Sequence, residues 1–208
     1  MYFYLKNIQG VKKHGIFDKW RLRNHFTDQR SERGKTIMNI AKLQGLQKIL
    51  DNRIIKQHGL EGQNLVSNLI LALQVEIAEL ANETRCFKHW CNKGPSERET
   101  ILTEFVDGLH FILSISNQLD VKIEFRCEDE TEKTIVGTFN KLFYYVGEMW
   151  DTAHNYPDSK LQLADDVETI FNLFMELGTK HLGFTHEDIE QVYLEKNKVN
   201  HQRQDDGY

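Results

Sequence analysis

Proline is almost missing from this chain of 208 residues: only Pro95 and Pro157 occur, so long stretches carry no helix breaker. Cysteine is scarce too, and Cys86, Cys91 and Cys127 are odd in number and form no CxxC pair, which excludes a disulfide framework and points to free thiols in a reducing cytoplasm. No run of about eighteen apolar residues is present, which argues against a transmembrane helix, and the N-terminus lacks the apolar core of a signal peptide. Strand-like alternation is rare. Glycine-rich phosphate loops, zinc-ligand spacings and nucleophile elbows are all missing. What remains is helical periodicity, and the expectation is an all-α multi-helix bundle.

Charge divides the chain. Residues 1–37 hold nine Lys/Arg against three Asp/Glu, whereas the remainder holds 17 against 28. A net acidic body does not suit a broad nucleic-acid surface, so no stable nucleic-acid complex is expected. The basic 1–37 segment has no sustained period and admits three readings. It could be a nucleic-acid arm aided by Tyr2, Phe3, Tyr4 and Trp20, or a partly ordered extension. The favoured reading is translated upstream sequence, because Glu32-Arg33-Gly34 can be encoded by a ribosome-binding stretch just before Met38. The domain is therefore expected over residues 38–208.

The apolar spacing of Ile40, Leu43, Leu46, Ile49, Leu50 and Ile54 predicts a first helix closing near Gly59, with Gln47 and Asp51 on a neighbouring polar stripe. A second helix is expected over about 65–85. A third starts at a Ser96/Glu99 capping box and runs to about Leu119. A fourth covers the EDETEKTIVGTFNKLFYYVGEMWDTAHNY stretch with an acidic first turn. There, Gly137 and Gly147 are tolerable only if they allow close packing. A fifth spans 160 to about 182, and a sixth begins at Thr185/Asp188 and fades near Asn200.

The second and third helices each carry an i, i+3 acidic pair in apolar surroundings: Glu76 with Glu79, and Glu104 with Asp107. Such a pair lies on one helical stripe. A short connection makes the two helices an antiparallel hairpin at the centre of the bundle, bringing four carboxylates together. Buried carboxylates need protons, basic partners or metal ions, and hard Mg²⁺ prefers oxygen ligands and substrate phosphates. The bland alternative is a pair of amphipathic helices whose acids meet Arg or Lys. Lys196, Asn200 and Arg203 recur at spacings of four and three, so one helical face can hold a polyphosphate; an ordinary basic helix end is the competing reading. With no nucleophile motif, a metal-activated water is the economical nucleophile. A rival set, Asp107/His110 with Asp151/His154, has the acid-x-x-His spacing of di-iron bundles, though with Asp in place of Glu.

EIAELANETRCFKHW, EFVDGLHFILS and KNKVNHQRQDDGY, in that order, resemble the dimeric dUTPases, all-α nucleoside triphosphate pyrophosphatases related to the MazG-type enzymes. The likeness covers Met38 to Tyr208. It implies Mg²⁺-dependent conversion of dUTP, and of dUDP, to dUMP by a cytoplasmic homodimer. By that likeness Glu76, Glu79, Glu104 and Asp107 are ligands of two or more Mg²⁺ ions. Glu79, or alternatively Glu76, also deprotonates the attacking water. Lys196, Asn200 and Arg203 match the phosphate-binding arm. Gln47, Trp90, His110 and Phe111 match positions lining the deoxyuridine pocket. Asp51 stands where some relatives carry Asn; an acceptor-only carboxylate would suit uracil N3–H but not a carbonyl, which leaves its base-reading role open. A relative acting on dCTP or another nucleotide is the nearest alternative, and a non-enzymatic helical interaction protein is a more distant one.

Overall fold

The computed structural model describes residues 38–125 and 132–207. Six helices follow one another: α1 (Ile40–Gln57), α2 (Val66–Thr84), α3 (Arg98–Gln118), α4 (Ile135–Asn155), α5 (Lys160–Glu176) and α6 (His186–Asp205). A π-helical turn, Leu177–His181, continues α5. No strand occurs among the described residues, as the all-α expectation requires. The 1–37 segment and a translation start after it fall outside the described residues, as does Cys127. Cys86 and Cys91 are free thiols. None of the described helices is long and apolar enough to cross a membrane.

α3 is the axis of the bundle, packed by α1, α2, α5 and α6, with α2 its most extensive neighbour. Phe105, Val106, Leu109, Ile112, Leu113 and Ile115 are buried around its circumference, the signature of a core helix rather than a surface one. Phe105 of α3 stacks on Phe174 of α5 at 4.4 Å. Two glycines admit these rings. A Cβ at Gly108 would lie 2.7 Å from Phe174 Cζ, and one at Gly178 would lie 2.5 Å from Phe105 Cζ. Close packing thus belongs to Gly108 and Gly178. Of the two glycines expected to serve it, a Cβ at Gly137 would lie 2.7 Å from Glu132 Oε1, a side chain just before α4 and not another helix, and one at Gly147 has nothing within 4 Å.

Three helix ends differ from the sequence expectation, each for a local reason. Ser96 does not cap α3: its hydroxyl donates to the Glu83 carboxylate and its N–H to the Glu83 carbonyl at 3.0 Å, so it ties the α2–α3 loop to α2 and the helix starts after Glu97. The acidic residues 128–130 expected to open the fourth helix lie outside the described residues, and α4 is described from Ile135, where Thr134 caps it by accepting from Gly137 N–H at 3.0 Å. α6 runs five residues past Asn200, held by α1. Arg53 donates to the His201 carbonyl at 3.1 Å and pairs with Asp205, and Gln57 donates to the Gln204 carbonyl at 2.8 Å. The expected Thr185/Asp188 capping box at its start is present.

Candidate active site

The i, i+3 spacing on α2 and the pairing of α2 with α3 bring three acids together. One carboxylate oxygen each from Glu76, Glu79 and Glu104 lies within 4.8 Å of the others. Burial and the negative charges of Asp107, Glu79 and Glu104 push Glu76 up to about 7. Burial, then Asp107 and Glu79, also raise Glu104. Asp107 lies one turn further along α3 and accepts from Lys196 Nζ of α6 at 2.7 Å, in a largely buried ion pair. α6 therefore delivers its first basic side chain directly to the acidic cluster. Because α6 stays helical to Asp205, Asn200 and Arg203 follow on the same face, with Arg203 Nη1 donating to Asn200 Oδ1 at 3.4 Å.

Part of this cluster opens into a cavity of about 620 Å³ between α1, α2, α3 and α6, whose lining does not include Glu79 or Glu104. Glu76, Asp107, Lys196, Asn200 and Arg203 line it, together with Gln47, Asp51, His110 and Phe111. Apolar walls come from Leu50, Ile54, Ile55, Leu65 and Leu69. One chamber thus joins an acid-and-cation end to an uncharged, partly apolar end, a shape that suits a ligand with a charged tail and a flat body.

The uncharged end is built on a buried hydrogen-bond network. Gln47, 3% exposed, donates from Nε2 to Asp51 Oδ1 (2.8 Å) and Ser114 Oγ (2.9 Å). Its Oε1 accepts from the Tyr193 hydroxyl (2.8 Å) and from His110 Nδ1 (2.6 Å). The His110 ring stacks on Tyr193 with centroids 4.2 Å apart. Burial holds His110 at about 3, so the ring is neutral. Burial likewise raises Asp51, against the opposing donors Gln47, Ser114 and Asn117.

Trp90 is the one expected pocket residue that this arrangement does not gather in. It is 67% exposed on the α2–α3 loop, edge-on to Phe87 and His89, and does not line the cavity. Asp151 and His154, the second half of the di-iron alternative, are exposed on α4: Asp151 accepts from Asn155 at 2.8 Å and His154 stacks on Trp150. Tyr193 and Ser114 were missed by sequence reading. Their only signal was register, Tyr193 one turn before Lys196 and Ser114 one turn after His110. That signal becomes specific only when α1 supplies Gln47.

No curated protein matches the chain. A family model described as dUTPase matches residues 39–208, covering the helical domain and every cavity residue named above. Over four fifths of its length, then, the chain conforms to that pattern, and it belongs to the dUTPase family.

Proposed function

We propose that the cavity is the site of Mg²⁺-dependent hydrolysis of dUTP, and also of dUDP, to dUMP, in a cytoplasmic homodimer. The observation that carries this reading is the convergence of three glutamates beside the Asp107–Lys196 pair, with Glu76, Asp107 and Lys196 lining the same chamber as Gln47, His110 and Phe111.

The donor set fits the ion. Glu76, Glu79 and Glu104 offer hard oxygens within one small radius, and the upward shift of Glu76 and Glu104 reflects burial first and then neighbouring negative charge, which a divalent cation would neutralise. With Asp107 these residues would hold two or more Mg²⁺ ions. Bound Mg²⁺ supplies Lewis-acid polarisation of phosphoryl oxygens and charge neutralisation. Glu79, the most exposed of the three clustered acids, takes the proton of the attacking water. Lys196 and Arg203 hold phosphate oxygens as charged donors, and Asn200 contributes its amide. The uracil ring lies toward Gln47, Asp51, His110 and Phe111. Exposed Leu71 and Val75 on α2, with Phe143 and Trp150 on α4, support a second copy packing on this side.

Purified protein supplied with Mg²⁺ and a panel of deoxynucleoside triphosphates tests the assignment, with pyrophosphate release as readout. dUTP turnover well above that of dCTP and dTTP is expected. Equal turnover of all three would defeat the substrate assignment, and no loss of activity on chelation would defeat the metal.

A further inference from the structure

Glu76 and Glu79 stand on α2 while Glu104 and Asp107 stand on α3, so the acidic cluster lasts only while these two helices keep one register. The acids do not secure that register themselves. Beyond the effect of burial, Asp107, Glu79 and Glu104 all oppose ionisation of Glu76, so like charges push α3 away from α2. Apolar contact between the helices resists separation, but it is non-directional and lets one helix slide along the other. α5 packs on α3 as well, and α4, packed on both α2 and α5, closes the frame around it.

α3 and α5 interlock by an exchange of rings. The Phe174 ring of α5 fills the notch at Gly108, where a Cβ would meet Phe174 Cζ at 2.7 Å. Gly108 follows Asp107 directly and lies one turn beyond Glu104 on the same stripe of α3. In return the Phe105 ring, next in the chain to Glu104, fills the notch at Gly178, where a Cβ would meet Phe105 Cζ at 2.5 Å. Both rings are fully buried, and they stack with 13° between their planes. Gly178 stands in the π-helical turn, whose Leu182 N–H reaches back to the Leu177 carbonyl at 3.0 Å. Turns of this kind gather at functional sites. The Gly178 carbonyl accepts from Phe184 N–H at 3.0 Å, and the Phe184 ring meets Phe105 edge-on at 5.6 Å. Arg98, at the start of α3, covers the Phe184 ring at 5.1 Å and pairs with Asp188 in the cap of α6. Two reciprocal notches fix both height and rotation, because a slide of one residue, about 1.5 Å, drives each ring into backbone.

We propose that Phe105, Gly108, Phe174 and Gly178 are positioning residues of the acidic cluster: their two ring-in-notch contacts hold α3 on α5 at the height that sets Glu104 and Asp107 opposite Glu76 and Glu79. The proposal rests on the reading of those four acids as metal ligands. None of the positioning residues lines the cavity, so they act through the helix and not on a ligand. A methyl group at Gly178 has no room beside the Phe105 ring, and the ring moves only with the turn of α3 that also carries Glu104. Metal sites depend on ligand placement to about half an ångström. A small displacement of α3 therefore costs metal affinity while most of the buried core remains.

Calorimetric titration of Mg²⁺ into the full-length protein tests the proposal, with the melting temperature measured alongside. Gly178→Ala is expected to keep its helical circular dichroism and to bind Mg²⁺ about ten- to a hundredfold more weakly, the effect of disturbing what orients metal ligands. Adding Phe105→Leu, which draws the ring out of the notch, is expected to restore Mg²⁺ affinity to within about threefold of wild type while the melting temperature stays below it. Leu163→Ala, a core truncation at the opposite end of α5, is expected to lower the melting temperature and leave Mg²⁺ affinity unchanged. Should Gly178→Ala not fold, Phe174→Leu and its combination with Gly108→Ala give the same pair of outcomes, loss and then recovery. Wild-type affinity in the single variants, no recovery in the combined ones, or an equal loss in Leu163→Ala would overturn the positioning role and leave the metal reading standing. A wild-type protein that takes up no Mg²⁺ would sink the metal reading, and the positioning role with it.

Discussion

At one end of the cavity Glu76 and Asp107 face in, with Glu79 and Glu104 crowding Glu76 within 4.8 Å and Lys196 bonded to Asp107. At the other end Gln47, Ser114, Tyr193 and His110 form a network with no formal charge, and burial raises the pKa of Asp51 beside it. The first end is strained by its own electrostatics and is eased by cations. The second satisfies all four hydrogen-bonding positions of Gln47. Substitutions at the charged end should therefore change turnover and leave the fold standing, whereas those at the neutral end should cost stability as well as binding.

The sharpest way to break this contrast is Glu79→Gln. Loss of the proposed general base is expected to lower kcat by about 100- to 10,000-fold. The helical circular dichroism and the melting temperature should stay at or above wild-type values, because one repelling charge is gone. A variant that melts earlier would show that the cluster supports the fold.

Gln47→Leu probes the opposite end. It leaves the polar atoms of Asp51, Ser114, His110 and Tyr193 without their shared partner, and is expected to cost about 3 kcal/mol in urea unfolding. Unchanged stability would mean that the network is ornamental.

Lys196→Met straddles the two ends. Loss of a charged donor to phosphate is expected to raise KM for dUTP by about ten- to a hundredfold. A fall in kcat with KM unchanged would argue for a role in the chemical step instead.

The smallest expected effect is on pH. Glu76 rises from an ordinary 4.5 to about 7 in the folded protein, so the folded state binds the extra proton between those values. Its contribution to stability is present below about pH 4.5 and is lost as pH climbs through 7. Since Glu76 is only half-buried, solvent screening reduces this to about 1 kcal/mol. In chelator-treated protein the melting temperature should fall across that window, and added Mg²⁺ should reverse the fall. A flat profile would show that Glu76 is not under electrostatic strain.

Much of the site was legible because helical register is a local property. The i, i+3 acids on α2 and α3, and the Lys196–Asn200–Arg203 stripe, follow from 3.6 residues per turn whatever the helices pack against. The same holds for the Thr185/Asp188 cap, which needs only neighbours in the chain. The failures were tertiary. Ser96 had the capping sequence but is claimed by Glu83 from another helix, and α6 outran its expected end because Arg53 and Gln57 of α1 hold its last turn. Gly147 sits in open space while Gly108 and Gly178 receive the phenylalanine rings, a distinction that no single helix encodes.

By itself, then, the sequence determined an all-α bundle, the acids that share a stripe, the basic face of the last helix and the family pattern, because each is written in residue order and spacing. The tertiary structure decided which charges meet, giving Asp107 to Lys196. It also decided that Gln47 faces inward to Tyr193 and His110, and that Asp51 Oδ2 and His110 Nε2 are among the buried polar atoms left without a partner. Those outcomes depend on burial and on partners some 63 to 146 residues apart in the chain, where desolvation and hydrogen-bond competition overrule local preference.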